Sequence, residues 1–368
     1  MSRLIIVLVI VLLAVAPAVP SAAQDALPEL TLFLGFVPNI QFAPIYMAIE
    51  RGYFAEAGVN VVIEYGDENV GVERIAAGEL QFGMISGEQV VLARAGGRPL
   101  VYVFEWYQRF PVAVIASVDS GIQTAADLAG HVVGVPGRFG ASYMGLRALL
   151  AAVGLSEDDI LLQEIGFAAP AALCAGQVEA SVVYVANEPE QVREQCFDVN
   201  IIEVSPLADL VANGLVTNEA TIADNPDLVR GMVSALSRGL ADVIADPDAA
   251  IEASRAHVET LPARGGSRVD VSIAAADALR VLHTAQDSGE ALTPEVTAGL
   301  IDILAGAVNP DEVVQMRVLR NSIPLWNAPR LGETDPASWE ATMNALIEMG
   351  LLAGPVDLSG AYTNAFLP

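Results

Sequence analysis

The chain has 368 residues, 53% of them hydrophobic, and its 18 Lys and Arg face 45 Asp and Glu for a formal charge of −27. Such an acidic chain repels phosphate backbones, which excludes nucleic acid as an expected partner. It contains no lysine, so neither a Schiff base nor the lysine of a phosphate-binding P-loop is available.

Arg3, the apolar run over residues 4–19 and the small residues Ser21, Ala22 and Ala23 predict a secretory signal peptide over residues 1–23. The run is shorter than the roughly 20 residues of a membrane-spanning helix, and no cysteine follows it to carry a lipid. The expected location is therefore outside the cytoplasm, in the periplasm or at the outer face of the cell membrane. What remains is long enough for two domains of ordinary size.

Strands are expected over 30–36, 59–65 and 81–85. Between the first two, Phe42, Ile45, Tyr46 and Ile49 fall on one face of a helix stopped by Gly52. Ser86 and Gln89 have the spacing of a capping box opening the next helix. Strands over 99–105 and 111–117 follow almost back to back, so the intervening residues 106–110 are the expected first crossing between two lobes. A second β/α set follows, with strands over 131–135, 161–167, 180–185 and 200–204 and a helix over 141–153. Strands alternating with helices predict parallel α/β sheets. The expected division is lobe one over 26–116 and 206–368, with lobe two over 117–205. Asn225-Pro226 and Asp246-Pro247 each set a capping residue before a first-turn proline. Further helices are expected near 269–283, 294–307 and 338–349, with a polar loop over 263–268.

Cys174 and Cys196 can pair in an oxidising compartment if their Cα atoms lie within about 7 Å, which spacing leaves open. His131, His257 and His283 are scattered, with no CxxC or HExxH, and predict no metal site.

Ligands of open parallel sheets settle beyond the C-terminal ends of strands, where helix N-termini offer free N–H groups. That rule selects Asn39, Gln41, Phe42 and Tyr46 after the first strand, Ser86 and Glu88 after the third, and Trp106 and Tyr107 at the crossing. In lobe two it selects Arg138, Phe139 and Tyr143, and then Tyr184, Asn187 and Glu188. Aromatics make up only 6% of the chain yet seven stand in these segments, a composition suited to a flat heterocycle held by ring contacts and amide hydrogen bonds. Phe42 and Tyr46 could equally be the buried stripe of their helix, and Arg138 could hold an anion or pair with a surface carboxylate. Glu88 and Glu188, if they faced one another across a cleft, would be the carboxylate pair of a secreted hydrolase. Otherwise no catalytic residue is expected.

The segment GFVPNIQFAPIYMAIERGYFAEAGV over residues 35–59 resembles the opening of the family of ABC-importer binding proteins for taurine, alkanesulfonates and thiamine-pyrimidine precursors. GELQFGMISGEQ over 78–89, TAADLAGHVVGVP over 124–136, CAGQVEA over 174–180 and an ending with Trp339, Pro355 and Tyr362 keep that family's order. The resemblance implies a type II periplasmic-binding-protein fold, two α/β lobes joined by a hinge with the ligand cleft between them, and no cofactor. The chain would act as a monomer, capturing a small molecule and handing it to the permease and ATPase subunits of an ABC importer. The similarity is greatest to the riboflavin-binding members, which implies riboflavin or a related heterocycle as ligand, with a thiamine-pyrimidine precursor or a sulfonate as alternatives. A branch of the family that makes pyrimidines relies on a lysine-bound pyridoxal phosphate and a Cys-rich motif, and both are absent from this sequence.

Overall fold

A computed structural model of the chain describes residues 27–208, 210–261, 292, 293, 296 and 310–368. The expected signal peptide, the loop over 263–268, the helix near 269–283 and, apart from Val296, the helix near 294–307 lie outside the described residues. Among those described, no helix is long and apolar enough to cross a membrane.

The first sheet is built from β1 (Glu29–Leu34), β2 (Asn60–Tyr65), β3 (Phe82–Ser86) and β4 (Leu100–Glu105), and the second from β5 (Val112–Ser117), β6 (Val132–Val135), β7 (Leu161–Glu164), β8 (Ala180–Tyr184) and β9 (Val199–Glu203). A tenth strand, β10 (Asn213–Asn218), returns to the first sheet. The strand orders are β2-β1-β3-β10-β4 and β7-β6-β8-β5-β9. Each sheet therefore has four parallel strands and one antiparallel insertion, β10 in the first and β5 in the second. This departs from the purely parallel expectation. The physical reason is the crossing itself: a chain that leaves one lobe at the C-terminal end of its last strand enters the other sheet from the same end, so it must run antiparallel.

The strand β5, assigned to lobe one by the expected boundary at 116, hydrogen-bonds to β8 and β9 and so belongs to the second sheet. The change of sheet falls in residues 106–111, and the return runs through 204–212 to β10. β3, β4 and β10 are buried along their whole length, as strands covered on both faces must be.

Helices α1 (Ala43–Glu50), α2 (Tyr53–Glu56), α3 (Glu68–Ala76) and α4 (Gly87–Ala95) accompany the first sheet. α5 (Gly140–Ala152), α6 (Ala169–Cys174) and α7 (Glu188–Gln195) accompany the second. Next come α8 (Glu219–Asp224), α9 (Pro226–Ala245) and α10 (Pro247–Ser254), then α11 (Pro310–Trp326) and α12 (Pro336–Glu348). Asn225 and Asp246 accept from the N–H groups of Leu228 and Ala249, the predicted caps ahead of Pro226 and Pro247. The predicted capping box at Ser86 does not form. Its hydroxyl donates to Glu88 instead of to the helix backbone. Cys174 and Cys196 form a disulfide with Cα atoms 5.7 Å apart, joining the C-terminal ends of α6 and α7.

Candidate functional site: a cleft between the two sheets

Strand ends from both sheets converge on one cleft, with about 800 Å³ of space counted out to its open mouth. Gly35 and Phe36 follow β1, Glu68 follows β2 and opens α3, and Trp106 and Tyr107 begin the first crossing. Opposite them stand Phe139, Gly140 and Ala141 at the start of α5, Phe167 after β7, and Tyr184 and Glu188 around the end of β8. Asn213, the first residue of β10, joins the same rim because its strand runs the other way.

The aromatic wall is partly committed to itself. Phe42 and Trp326 pack near-parallel on Trp106, with ring centroids at 5.6 and 5.7 Å. Tyr107 meets Tyr184 edge-on at 5.9 Å, and Phe36 meets Phe167 from the opposing sheet edge-on at 4.8 Å. Trp106 is 4% exposed and its indole N–H has no partner among the described residues. Its ring is taken up by Phe42 and Trp326, so it builds the wall chiefly by packing.

Two carboxylates line the cleft. Ser86 N–H and the side-chain amide of Asn213 donate to Glu68, the latter at 3.4 Å. The backbone N–H of Ala141 at the start of α5 also favours its charged form, which sets a first-lobe carboxylate against a second-lobe helix. Burial raises the Glu68 carboxyl above its ordinary range, against the lowering effect of those donors. Gly140 sits at φ +64°, and a Cβ there would stand 2.3 Å from a Glu68 carboxylate oxygen, so only glycine permits this approach. Glu188 accepts from Tyr184 N–H and from the Asn187 amide, both at 2.9 Å, and burial pushes its carboxyl up to about 7. Gln41 donates to the Tyr107 hydroxyl at 2.8 Å. The Tyr184 hydroxyl donates across the cleft to Asn213 at 2.6 Å. Behind the cleft, the Asn39 side chain donates to Asn187 at 3.2 Å, another bond between the lobes.

Of the residues selected from sequence, Gln41, Phe42, Trp106, Tyr107, Phe139, Tyr184 and Glu188 line the cleft, while Asn39 and Asn187 brace it. Five others do not reach it. Tyr46 is core: it is fully buried, shares a hydrogen bond with the Tyr65 hydroxyl at 2.9 Å and stacks on His257 at 4.3 Å. Ser86 and Glu88 are fully buried beneath the site and bond to each other. Glu88 therefore does not face Glu188 across the cleft, and the carboxylate pair of the hydrolase alternative is not assembled. Arg138 points outward into ion pairs with Glu157 and Glu164, and Tyr143 donates to Glu157 at 2.7 Å. Glu68, Asn213, Phe36 and Phe167 were not selected. Applying the strand-end rule to β2 and β7 as well would have found Glu68 and Phe167, and only the antiparallel β10 exposes Asn213 to the cleft.

Residues 39–250 match the family described as NMT1/THI5 like. A riboflavin-binding protein, RibY of Chloroflexus aurantiacus, is 36% identical over 99% of this chain and 96% of its own length. The chain belongs to the NMT1/THI5-like family. Other relatives are named for different activities. A formylaminopyrimidine-binding protein of Halalkalibacterium halodurans is 26% identical over 67% of this chain and 76% of its own. A 4-amino-5-hydroxymethyl-2-methylpyrimidine phosphate synthase of Legionella pneumophila is 25% identical over 61% and 72%. Among solved structures, the alkanesulfonate-binding protein SsuA of Xanthomonas axonopodis, bound to MOPS, superposes with a TM-score of 0.63 at 16% identity, covering 92% of this chain and 99% of that one. At that identity the match shows the periplasmic-binding fold, with its two sheets and intervening cleft.

Proposed function

We propose that this chain is the extracytoplasmic solute-binding protein of an ABC importer, that its ligand is riboflavin, and that it delivers the vitamin to a membrane permease without chemically altering it. The observation that carries this reading is the similarity to a riboflavin-binding protein along essentially the whole chain. The cleft supports it: aromatic walls with carboxylate and amide groups suit a flat fused-ring ligand with imide and hydroxyl donors. The chain has no lysine and its two cysteines are joined to each other, so neither a lysine-bound cofactor nor a free thiol is available for chemistry.

Titration of the purified chain with riboflavin, followed by quenching of tryptophan fluorescence, tests the reading. Saturable quenching at one site per chain, weakened in Trp106→Phe, is expected. Absence of riboflavin binding together with saturable binding of a hydroxymethylpyrimidine or of taurine would replace riboflavin with that ligand.

A further inference from the structure

We infer that the cleft admits only uncharged ligands that donate hydrogen bonds, and that Glu68 is the residue that turns away anionic forms of the same molecule, phosphate esters and sulfonates included. This rests on the riboflavin reading for the identity of the ring, but its argument is independent of it. Among the described residues, the ionisable side chains lining the cleft are two tyrosines and two carboxylic acids, with no arginine or histidine. The nearest sequence candidate for an anion clamp, Arg138, is turned to the surface and paired with Glu157 and Glu164.

The other feature that attracts anions is a helix N-terminus. Here that position at α5 is already occupied by the protein's own carboxylate, since Glu68 from the opposing lobe packs directly against Gly140, where the Ala141 N–H favours its charge. A phosphate or sulfonate entering the cleft would have to displace Glu68 from that position and then sit beside it without a counter-ion. A ligand hydroxyl or imide N–H faces the reverse situation, because a carboxylate accepts several hydrogen bonds at once. Neutral and donor-rich describes riboflavin and does not describe its phosphate ester.

Calorimetric titration of the full chain at pH 7.5 with two matched pairs tests this: riboflavin against its 5′-phosphate, and hydroxymethylpyrimidine against its phosphate. Riboflavin is expected to bind on the order of 100-fold more tightly than the ester, the scale set by an unpaired like-charge contact. In Glu68→Gln, which keeps an oxygen for Ser86 N–H, the ratio is expected to shrink about tenfold; Glu188→Gln provides a second reading of the same ratio if that variant does not fold. Equal affinity for riboflavin and its phosphate would overturn the inference and leave the riboflavin reading standing. Failure of both flavins to bind, with the pyrimidine alcohol preferred over its phosphate, would end the riboflavin reading and uphold the charge rule. A preference for either phosphate, or an unchanged ratio in both variants, would overturn the role given to Glu68.

Discussion

At the scale of single residues, the cleft holds ionisable groups under conditions that make the protein sensitive to pH. Burial lifts the Glu188 carboxyl to about 7 from an ordinary 4.5, because the charged form gives up water that Tyr184 N–H and the Asn187 amide only partly replace. The folded value lies above the unfolded one, so its stabilising contribution is complete below pH 4.5 and is lost as pH rises through 7. At about 1.4 kcal/mol per unit, the loss over that window is roughly 3 kcal/mol. Surface carboxylates such as Asp127, Asp159 and Asp357 are held low by local hydrogen bonds and act in the opposite sense. The informative quantity is therefore a difference between variants. Urea denaturation at pH 5 and pH 8 should show Glu188→Gln losing about 2 to 3 kcal/mol less than wild type over that interval. An identical loss in the two proteins would mean that Glu188 titrates as an ordinary exposed acid.

Between residue and lobe stand the elements, and here the disulfide links structure to site. Cys174 ends α6 and Cys196 caps α7, while the first residues of the same helices, Ala169 and Glu188, line the cleft. Tying the far ends of two short helices fixes how their near ends are presented. The closed loop spans a sequence separation of 22, for which loop entropy predicts about 3 kcal/mol of stabilisation. Reducing the protein, or replacing both cysteines with serine, should lower the denaturation free energy by that order. An unchanged denaturation midpoint would show that packing of α6 on α7 already does the work. The elements also show what the sequence made legible. Alternating apolar runs placed β1 to β9, and Asn225-Pro226 and Asp246-Pro247 marked helix starts correctly, because those signals are local. β10 was not visible: Asn213-Gly214-Leu215-Val216-Thr217-Asn218 begins and ends with turn-forming residues, and becomes a strand only because β3 and β4 flank it on both sides. Its absence from the reading also hid Asn213. The selection of Tyr46 and Tyr143 failed for a related reason, since periodicity places an aromatic on a helix face without saying whether that face meets a cleft or a neighbouring element.

For the whole molecule, the question is what holds the two lobes together. Closure of such a fold is a population shift that a ligand drives only through its preference for the closed form. The protein's own cross-lobe bonds set how far the equilibrium has already moved. Inside the site this is Tyr184 to Asn213, and behind it Asn39 to Asn187. Farther out, Arg147 on α5 donates to the carbonyl of Met349, just past α12, at 2.7 Å. α12 packs on α4 of the first lobe, and the hydroxyl of its Thr342 accepts from Val211 N–H in the return to β10. Arg147 does not line the cleft, so its removal separates lobe closure from ligand contact. Arg147→Ala forfeits one charge-assisted hydrogen bond of the closed form, worth about 1.5 kcal/mol net. If closure is incomplete without ligand, the apparent affinity should fall about tenfold, since only the closed fraction binds productively. Small-angle scattering should then show the unliganded variant larger than unliganded wild type, with the two converging at saturating ligand. Loss of affinity with no change in the unliganded dimensions would place the defect in local packing of α5. Unchanged affinity would mean that the bonds at the cleft alone govern closure, and that the outer contact between α5 and the end of α12 follows it passively.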